Sequence, residues 1–216
     1  MCRYGGVYLD TDVIVMKNLA SLRNCLGTEE LGDAGQVKVL NGAVLVFDRG
    51  SSFIWECMRE FNNTYKIESW GWNGPELVTR VARRFPQGAD LHILPVAAFY
   101  PIHWRQVHKY FEVAHFDDSQ HSAWQVIKES TYILHYWNKV TKDMVPKRGS
   151  LMYKVLLSDA FLLLFFFFSL SLSLSFSSAR RERLVFRWFI HAFIHSSFFF
   201  FVRTQVLNNY CILCEG

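Results

Sequence analysis

The chain predicts a layered α/β domain, and three observations carry that reading. Short apolar runs of strand character alternate along it with segments of helical apolar spacing. Its 216 residues give room for one domain with a real core. Hydrophobic residues make 51% and charged residues 19%, a balance that argues for folding rather than disorder.

The elements follow in order. Val7 to Asp10 reads as a buried strand that stops at carboxylates, and Val13 to Met16 continues extended. Gly27 to Gly35 reads as a Gly-rich acidic loop. Val37 to Leu40 and Ala43 to Phe47 read as strand on either side of Asn41-Gly42, a turn or bulge signal. Ser51-Ser52 offers an N-cap, and Phe53, Ile54, Cys57, Met58 and Phe61 recur at helical spacing, so residues 52–62 form an amphipathic helix. Trp70 to Gly74 reads as a loop, and Pro75 fits the first position of the next helix. There Leu77, Val78, Val81, Ala82 and Phe85 give an apolar face, with Arg80, Arg83 and Arg84 outward. Leu91 to Leu94 reads as a short strand, Phe99 to Trp104 as an aromatic loop, Ser119 to Ser130 as a helix and Thr131 to His135 as a last strand.

Composition shifts near residue 156. Thirteen of the 20 Phe lie beyond it, with Ser-Leu alternation and no Lys. Residues 1–155 therefore read as the globular region and 156–216 as a low-complexity hydrophobic tail. The uncharged stretch Ala160 to Ala179 has the ~20 residues of a membrane span, with Arg180-Arg181-Glu182-Arg183 behind it. The other reading of the tail is non-native sequence such as translated intron, since its tracts lack the periodicity of a packed core. No signal-peptide pattern opens the chain. A formal charge of +4 is too mild to argue for nucleic acid. Five Cys, at 2, 25, 57, 211 and 214, form no zinc pattern beyond a lone Cys211-x-x-Cys214.

Asp10-Thr11-Asp12 carries the chemistry. In extended chain, residues i and i+2 share a face, so two carboxylates project together and repel unless a cation sits between them. A hard divalent ion that also holds a diphosphate meets that need. The alternative is a solvated acidic turn. Asn41 and Gly42 either place an amide near a ligand or form a plain turn. At Gly74-Pro75-Glu76 the helix start can receive an anion or hydroxyl, and Glu76 is either a hydroxyl ligand or a dipole partner. Trp70, Trp72, Tyr100, His103 and Trp104 either stack on a ligand or close a core edge, with Trp72 favoured for ligand contact and Phe99 for core. Asn62-Asn63-Thr64 is a glycosylation sequon, relevant only in a lumenal domain.

Five motifs stand in a familiar order: Tyr4-Gly5-Gly6-Val7-Tyr8-Leu9-Asp10-Thr11-Asp12, Leu40-Asn41-Gly42-Ala43, Gly74-Pro75-Glu76-Leu77-Val78-Thr79-Arg80-Val81, Ala98-Phe99-Tyr100-Pro101-Ile102-His103-Trp104 and His135-Tyr136-Trp137-Asn138-Lys139. Together they resemble the alpha-1,4-glycosyltransferase family over roughly residues 4–154. The resemblance implies a GT-A, Rossmann-like fold with the Asp-x-Asp at a strand end. It implies retaining transfer of a hexose, galactose-like, from a UDP-sugar to a glycan or glycolipid, with manganese or magnesium, on the lumenal side of Golgi membrane. Asp12 is then the direct metal ligand, Asp10 a contact through water or the donor sugar, and His135 the third ligand. Gly5, Gly6, Tyr8, Asn41, Gly42, Trp72, Gly74, His103 and Trp104 are the implied substrate contacts, and Glu76 joins the two Asp residues as a catalytic candidate. One departure is expected. The family places an anchor and its nucleoside-binding units before the Asp-x-Asp, whereas Met1 falls just ahead of that strand. The rival reading is therefore a truncated, catalytically silent paralogue or mispredicted fragment, at most a membrane-tethered binding remnant.

Overall fold

The computed structural model describes residues 1–86, 90–113 and 118–158. The tail readings, the membrane span and the Cys211–Cys214 pair among them, lie outside the described residues. Among the described residues no helix is long and apolar enough to cross a membrane.

A four-stranded sheet runs in the order β1-β4-β3-β5, from β1 (Gly6–Leu9), β3 (Cys25–Leu31), β4 (Val37–Phe47) and β5 (His92–Leu94). The β1–β4 and β3–β4 pairs are antiparallel and β3–β5 is parallel, so the sheet is mixed. Neighbouring residues on one strand divide between two cores, as the period of two requires. Leu26 and Phe47 pack with Phe53 and Ile54 of α1 (Ser52–Thr64) and Leu77, Val78 and Val81 of α3 (Pro75–Arg84). Cys25 and Val46 face the other way, onto Phe99, Tyr100, Ile127 and Leu134. That second layer holds α4 (Val96–Phe99), a 3₁₀ turn at Val107–Phe111, α5 (Asp118–Ser130) and helical residues 151–158. A separate two-stranded ribbon pairs β2 (Val13–Val15) with β6 (Ile133–His135), and α6 (Asn138–Thr141) follows it. The layered mixed α/β architecture is consistent with a GT-A-like glycosyltransferase fold.

Several sequence expectations are corrected. Residues 27–31 are not loop but most of β3, a strand paired on both sides. Burial of Cys25, Leu26, Gly27 and Thr28 outweighs the loop-like composition, and Gly27 is required by close approach. A Cβ there would lie 2.7 Å from both Phe99 Cδ2 and Tyr100 Cε2. Asn41-Gly42 does not join two strands. β4 runs through it as one strand of 11 residues with an irregular register, the bulge alternative of the same signal. Trp70–Asn73 is a single helical turn, α2, rather than loop.

Ser51 Oγ does cap α1, accepting from Ile54 N–H. Met58 and Phe61, assigned to the apolar face, are exposed, because only Phe53, Ile54 and Cys57 reach the sheet. Arg80 does not point outward. Its guanidinium lies 3.7 Å from the Trp72 ring centroid and donates to Glu60 Oε1 at 3.0 Å. β1 is half-buried, since its outer edge carries no partner strand among the described residues.

Candidate metal and sugar site

β1 ends at Leu9 and β2 begins at Val13, so Asp10-Thr11-Asp12 is the connection between the main sheet and the ribbon. Its backbone is fixed from both sides. Asp10 N–H donates to Ala43 C=O at 2.9 Å, and Tyr136 N–H donates to Asp12 C=O at 2.7 Å. The ribbon register then decides the chemistry. Val13 pairs with His135, which brings the imidazole from 123 positions away in sequence to the carboxylates. Ligand atoms of Asp10, Asp12 and His135 all lie within 4.8 Å of one another. That spacing is about twice a normal metal–ligand distance of roughly 2.0–2.6 Å.

Each carboxylate is oriented by a hydrogen bond. Tyr8 O–H donates to Asp10 Oδ1 at 2.6 Å. Asn138 N–H, at the start of α6, donates to Asp12 Oδ2 at 2.8 Å, leaving Asp12 Oδ1 facing His135 Nε2 at 3.6 Å. Burial holds the His135 pKa below the ordinary histidine value, against the opposing pull of Asp12 and then Asp10. The ring is therefore neutral near pH 7, the form that ligates metals. Trp137 N–H donates to Nδ1 at 3.0 Å, so in this ring the proton sits on Nε2. Coordination through Nε2 requires the other tautomer and loss of that contact. Two O donors and one N donor suit a hard or borderline divalent ion, with charge neutralisation of two carboxylates as the driving term.

Trp137 makes this turn possible. Its φ of 58° lies in the left-handed region, which L side chains seldom occupy. Indole Nε1 donates to Ile102 C=O at 2.7 Å, and the ring packs at a tilt, its centroid 4.1 Å from that of His135 and 5.9 Å from that of Tyr100. These contacts hold a strained residue where it aims the Asn138 N–H at Asp12.

The other expected contacts fall in three places. Trp70, Gly71, Gly74 and Glu76 form one rim. Lys139, next to Asn138, has its ammonium 5.6 Å from the exposed Trp70 ring, and Glu76 folds toward Gly71. His103 and Trp104 lie just after Ile102 and form a second cluster. His103 Nε2 and Arg105 Nη1 each stand 3.9 Å from a Glu30 carboxylate oxygen, and Arg105 covers Trp104. Burial lowers the His103 pKa, with Glu30 opposing, and its Nε2 is buried without a hydrogen-bond partner.

Gly5 and Gly6 are apart from the acids, at the far end of β1, roughly 13 Å away at ~3.3 Å per residue. Gly5 (φ 71°) lets the chain pass the Asp48–Arg49 peptide, where a Cβ would meet Arg49 N at 2.5 Å. Trp72 is half-buried. Lys66 Nζ and the Arg80 guanidinium stand 3.5 and 3.7 Å from its centroid, too close to share one face, and Nε1 donates to Thr64 C=O. A cation thus stands against each ring face. Asn41 and Gly42 lie in the β4 irregularity, and the Asn41 amide is spent within the protein.

Sequence reading missed Glu29. It is the buried carboxylate among the described residues, and burial raises its pKa against the hydrogen bond from Asn41. The signal was faint: apolar Cys25-Leu26 and β-branched Thr28 ahead of it mark a strand inside a stretch of loop-like composition.

A mixed α/β sheet with two strand-end carboxylates and a buried imidazole converging on one point has the arrangement of a divalent-metal site. Two family models match: a glycosyltransferase sugar-binding region containing the DXD motif over residues 1–32, and the alpha 1,4-glycosyltransferase conserved region over residues 46–160. The chain belongs to the alpha-1,4-glycosyltransferase family. It is similar to human lactosylceramide 4-alpha-galactosyltransferase, 40% identical over 148 residues, covering 64% of this chain and 39% of that one. It is similar to human alpha-1,4-N-acetylglucosaminyltransferase, 30% identical over 152 residues, covering 65% and 40%. An uncharacterized Arabidopsis thaliana protein is 39% identical over 164 residues, covering 71% of this chain and 25% of that one. The chain thus spans from 25% to 40% of the length of these relatives. No solved structure matches significantly.

Proposed function

We propose that this site transfers a hexose, galactose-like, from a UDP-sugar to a glycan or glycolipid acceptor with retention at the anomeric carbon. One observation carries the reading: β2–β6 pairing converges Asp10, Asp12 and His135 on a single point. Asp12 and His135 are the direct ligands of a divalent ion, manganese or magnesium, and Asp10 contacts it through water or the donor sugar. When bound, the ion neutralises charge on the diphosphate leaving group. Tyr8 and Asn138 hold the two carboxylates in the orientation this needs.

The acceptor is read at the rims. Trp70 presents an exposed aromatic face beside Lys139, and Trp104 is partly exposed under Arg105. Glu76 supplies a carboxylate for sugar hydroxyls. The working location is the Golgi lumen, at membrane that presents glycolipid.

The test is donor hydrolysis and transfer with UDP-galactose and Mn²⁺, comparing the chain with its Asp12→Ala variant. Mn²⁺-dependent turnover lost in the variant is the expected result. Equal turnover in both removes the metal role. Mn²⁺ binding without turnover identifies the silent, binding-only form.

A further inference from the structure

The β4 irregularity sits directly behind the metal site. Gly27 of β3 pairs with Asn41, but the next residue back, Leu26, pairs with Leu45. Gly42, Ala43 and Val44 therefore have no register partner on β3. These same residues are where β4 meets the end of β1, since Leu9 pairs with Val44 and Asp10 N–H reaches Ala43 C=O.

Ala43 is buried, and it has no register partner on β3 to accept its N–H. Asn41 supplies the acceptor: its Oδ1 takes the Ala43 N–H at 2.8 Å. The opposite end of the same amide, Nδ2, donates to Glu29 Oε2 at 2.8 Å. A carboxylate accepts only, so Glu29 dictates which way the Asn41 amide faces; turned over, Nδ2 would meet the Ala43 donor. Tyr100 O–H closes the cluster by donating to Asn41 C=O at 3.3 Å.

We propose that Glu29 and Asn41 are positioning residues for Asp10: the relay Glu29–Asn41–Ala43–Asp10 fixes the β4 kink and so places one carboxylate of the metal site. The assignment rests on the metal-site reading above. It gives Asn41 a role through the backbone, not through sugar contact. It also gives the buried Glu29 a reason to exist, since a buried carboxylate without a partner would be costly.

A purely structural role for these residues predicts lost stability anywhere on β4. A positioning role predicts a loss confined to the Asp10 end. Thr79 supplies the control. Its Oγ1 accepts from Leu40 N–H at 2.9 Å, one residue earlier on the same strand and equally buried. Glu29→Gln is the conservative rescue, because its side-chain oxygen still accepts from Asn41.

The experiment uses the full 216-residue chain with two readouts. Mn²⁺ affinity is measured by electron paramagnetic resonance, and amide exchange at Asp10 by mass spectrometry or NMR. Asn41→Ala and Glu29→Leu are expected to weaken Mn²⁺ about tenfold, the low end for groups that support metal ligands. Both should speed exchange at Asp10 by about tenfold as its pairing loosens. Glu29→Gln and Thr79→Val should leave both readouts near wild type, although Thr79→Val lowers the melting temperature. Unchanged Asp10 protection in Asn41→Ala overturns the proposal, and so does a Thr79→Val loss of Mn²⁺ affinity as large as that of Asn41→Ala. If the wild-type chain takes up no Mn²⁺, the metal reading fails and Asp10 exchange alone decides whether the relay holds the strand end.

Discussion

Replacing Asp10 by Asn isolates the electrostatics of the site. The amide oxygen can still accept from Tyr8 O–H, so the hydrogen bond survives while one charge leaves. Two unit charges at 4.8 Å repel by about 0.9 kcal/mol at the dielectric of water and about 3.5 kcal/mol at an effective value of 20. Both carboxylates are half-exposed, and screening pulls the figure toward the lower bound. Asp10→Asn is therefore expected to be about 1 kcal/mol more stable than wild type in EDTA. With Mn²⁺ the order reverses. At a hundredfold excess over its dissociation constant the ion stabilises the wild type by about 2.7 kcal/mol. For a domain of this size that is roughly 5–11 °C in melting temperature. Most of this shift should vanish in the variant. Thermal unfolding with and without Mn²⁺, in low and high salt, is the assay. An equal Mn²⁺ shift in both proteins, or a variant less stable than wild type in EDTA, refutes the reasoning.

Three further outcomes follow from the packing. Gly27→Ala should cost about 1–3 kcal/mol by overpacking against Phe99 and Tyr100, read as a lower urea midpoint; an unchanged midpoint would mean the rings move freely. Trp72→Phe keeps the ring between Lys66 and Arg80 but deletes the Nε1 donor to Thr64, so stability falls by about 1 kcal/mol while acceptor KM stays put; a large rise in KM would restore sugar contact at Trp72. Burial lowers the pKa of His103 and His135, so the unfolded chain takes up protons first, and this stability is whole above about pH 6.5 and lost as pH falls through the folded values. Glu29 is raised and acts with the opposite sign, so the readout is a difference: melting temperature should fall less on acidification in His103→Gln than in wild type, and an identical fall in both would exclude His103 as a contributor.

How much of this was legible depended on whether a residue announces itself locally. The strands at 7–10, 13–16, 91–94 and 131–135 and the helices after Ser51 and Pro75 carry local signals that packing did not override. Asp10-Thr11-Asp12 was legible because an apolar run ending in two same-face charges has few bland explanations. His135 was legible only with the motif series beside it; its placement depends on β2–β6 register, which no local pattern encodes. β3 was lost to its composition. Gly27, Glu29, Glu30, Gly32, Asp33 and Gly35 look like loop, and only the rings of Phe99 and Tyr100 above Gly27 explain why a glycine belongs in a central strand. At Trp72 an aromatic beside glycines suggests a sugar platform, whereas the structure packs the ring against two cations. Its two cationic neighbours come from Lys66 and from α3, and sequence spacing does not show that they meet.

Asn41-Gly42 carries the sharper lesson. The dipeptide is a strong turn signal, and the chain does turn there, but inside a strand. A hairpin would end β4 at Leu40 and leave Ala43 C=O nowhere near Asp10. A bulge keeps the strand running, shifts its register by three residues, and delivers that carbonyl to the end of β1. The price is one buried N–H without a ladder partner, and Asn, whose side chain reaches its own backbone two residues on, is the residue type that meets it. At Gly42 a Cβ would stand 3.8 Å from Val78 of α3, an ordinary contact, so the bend rests on Asn41. Asn41, half of a dipeptide that suggests a loop, is thus what supports a continuous strand where it bends at the back of the metal site. Trp137 bends the chain at the front, and the two carboxylates stand between these irregularities, one tied to each: Asp10 to Ala43 and Asp12 to Asn138.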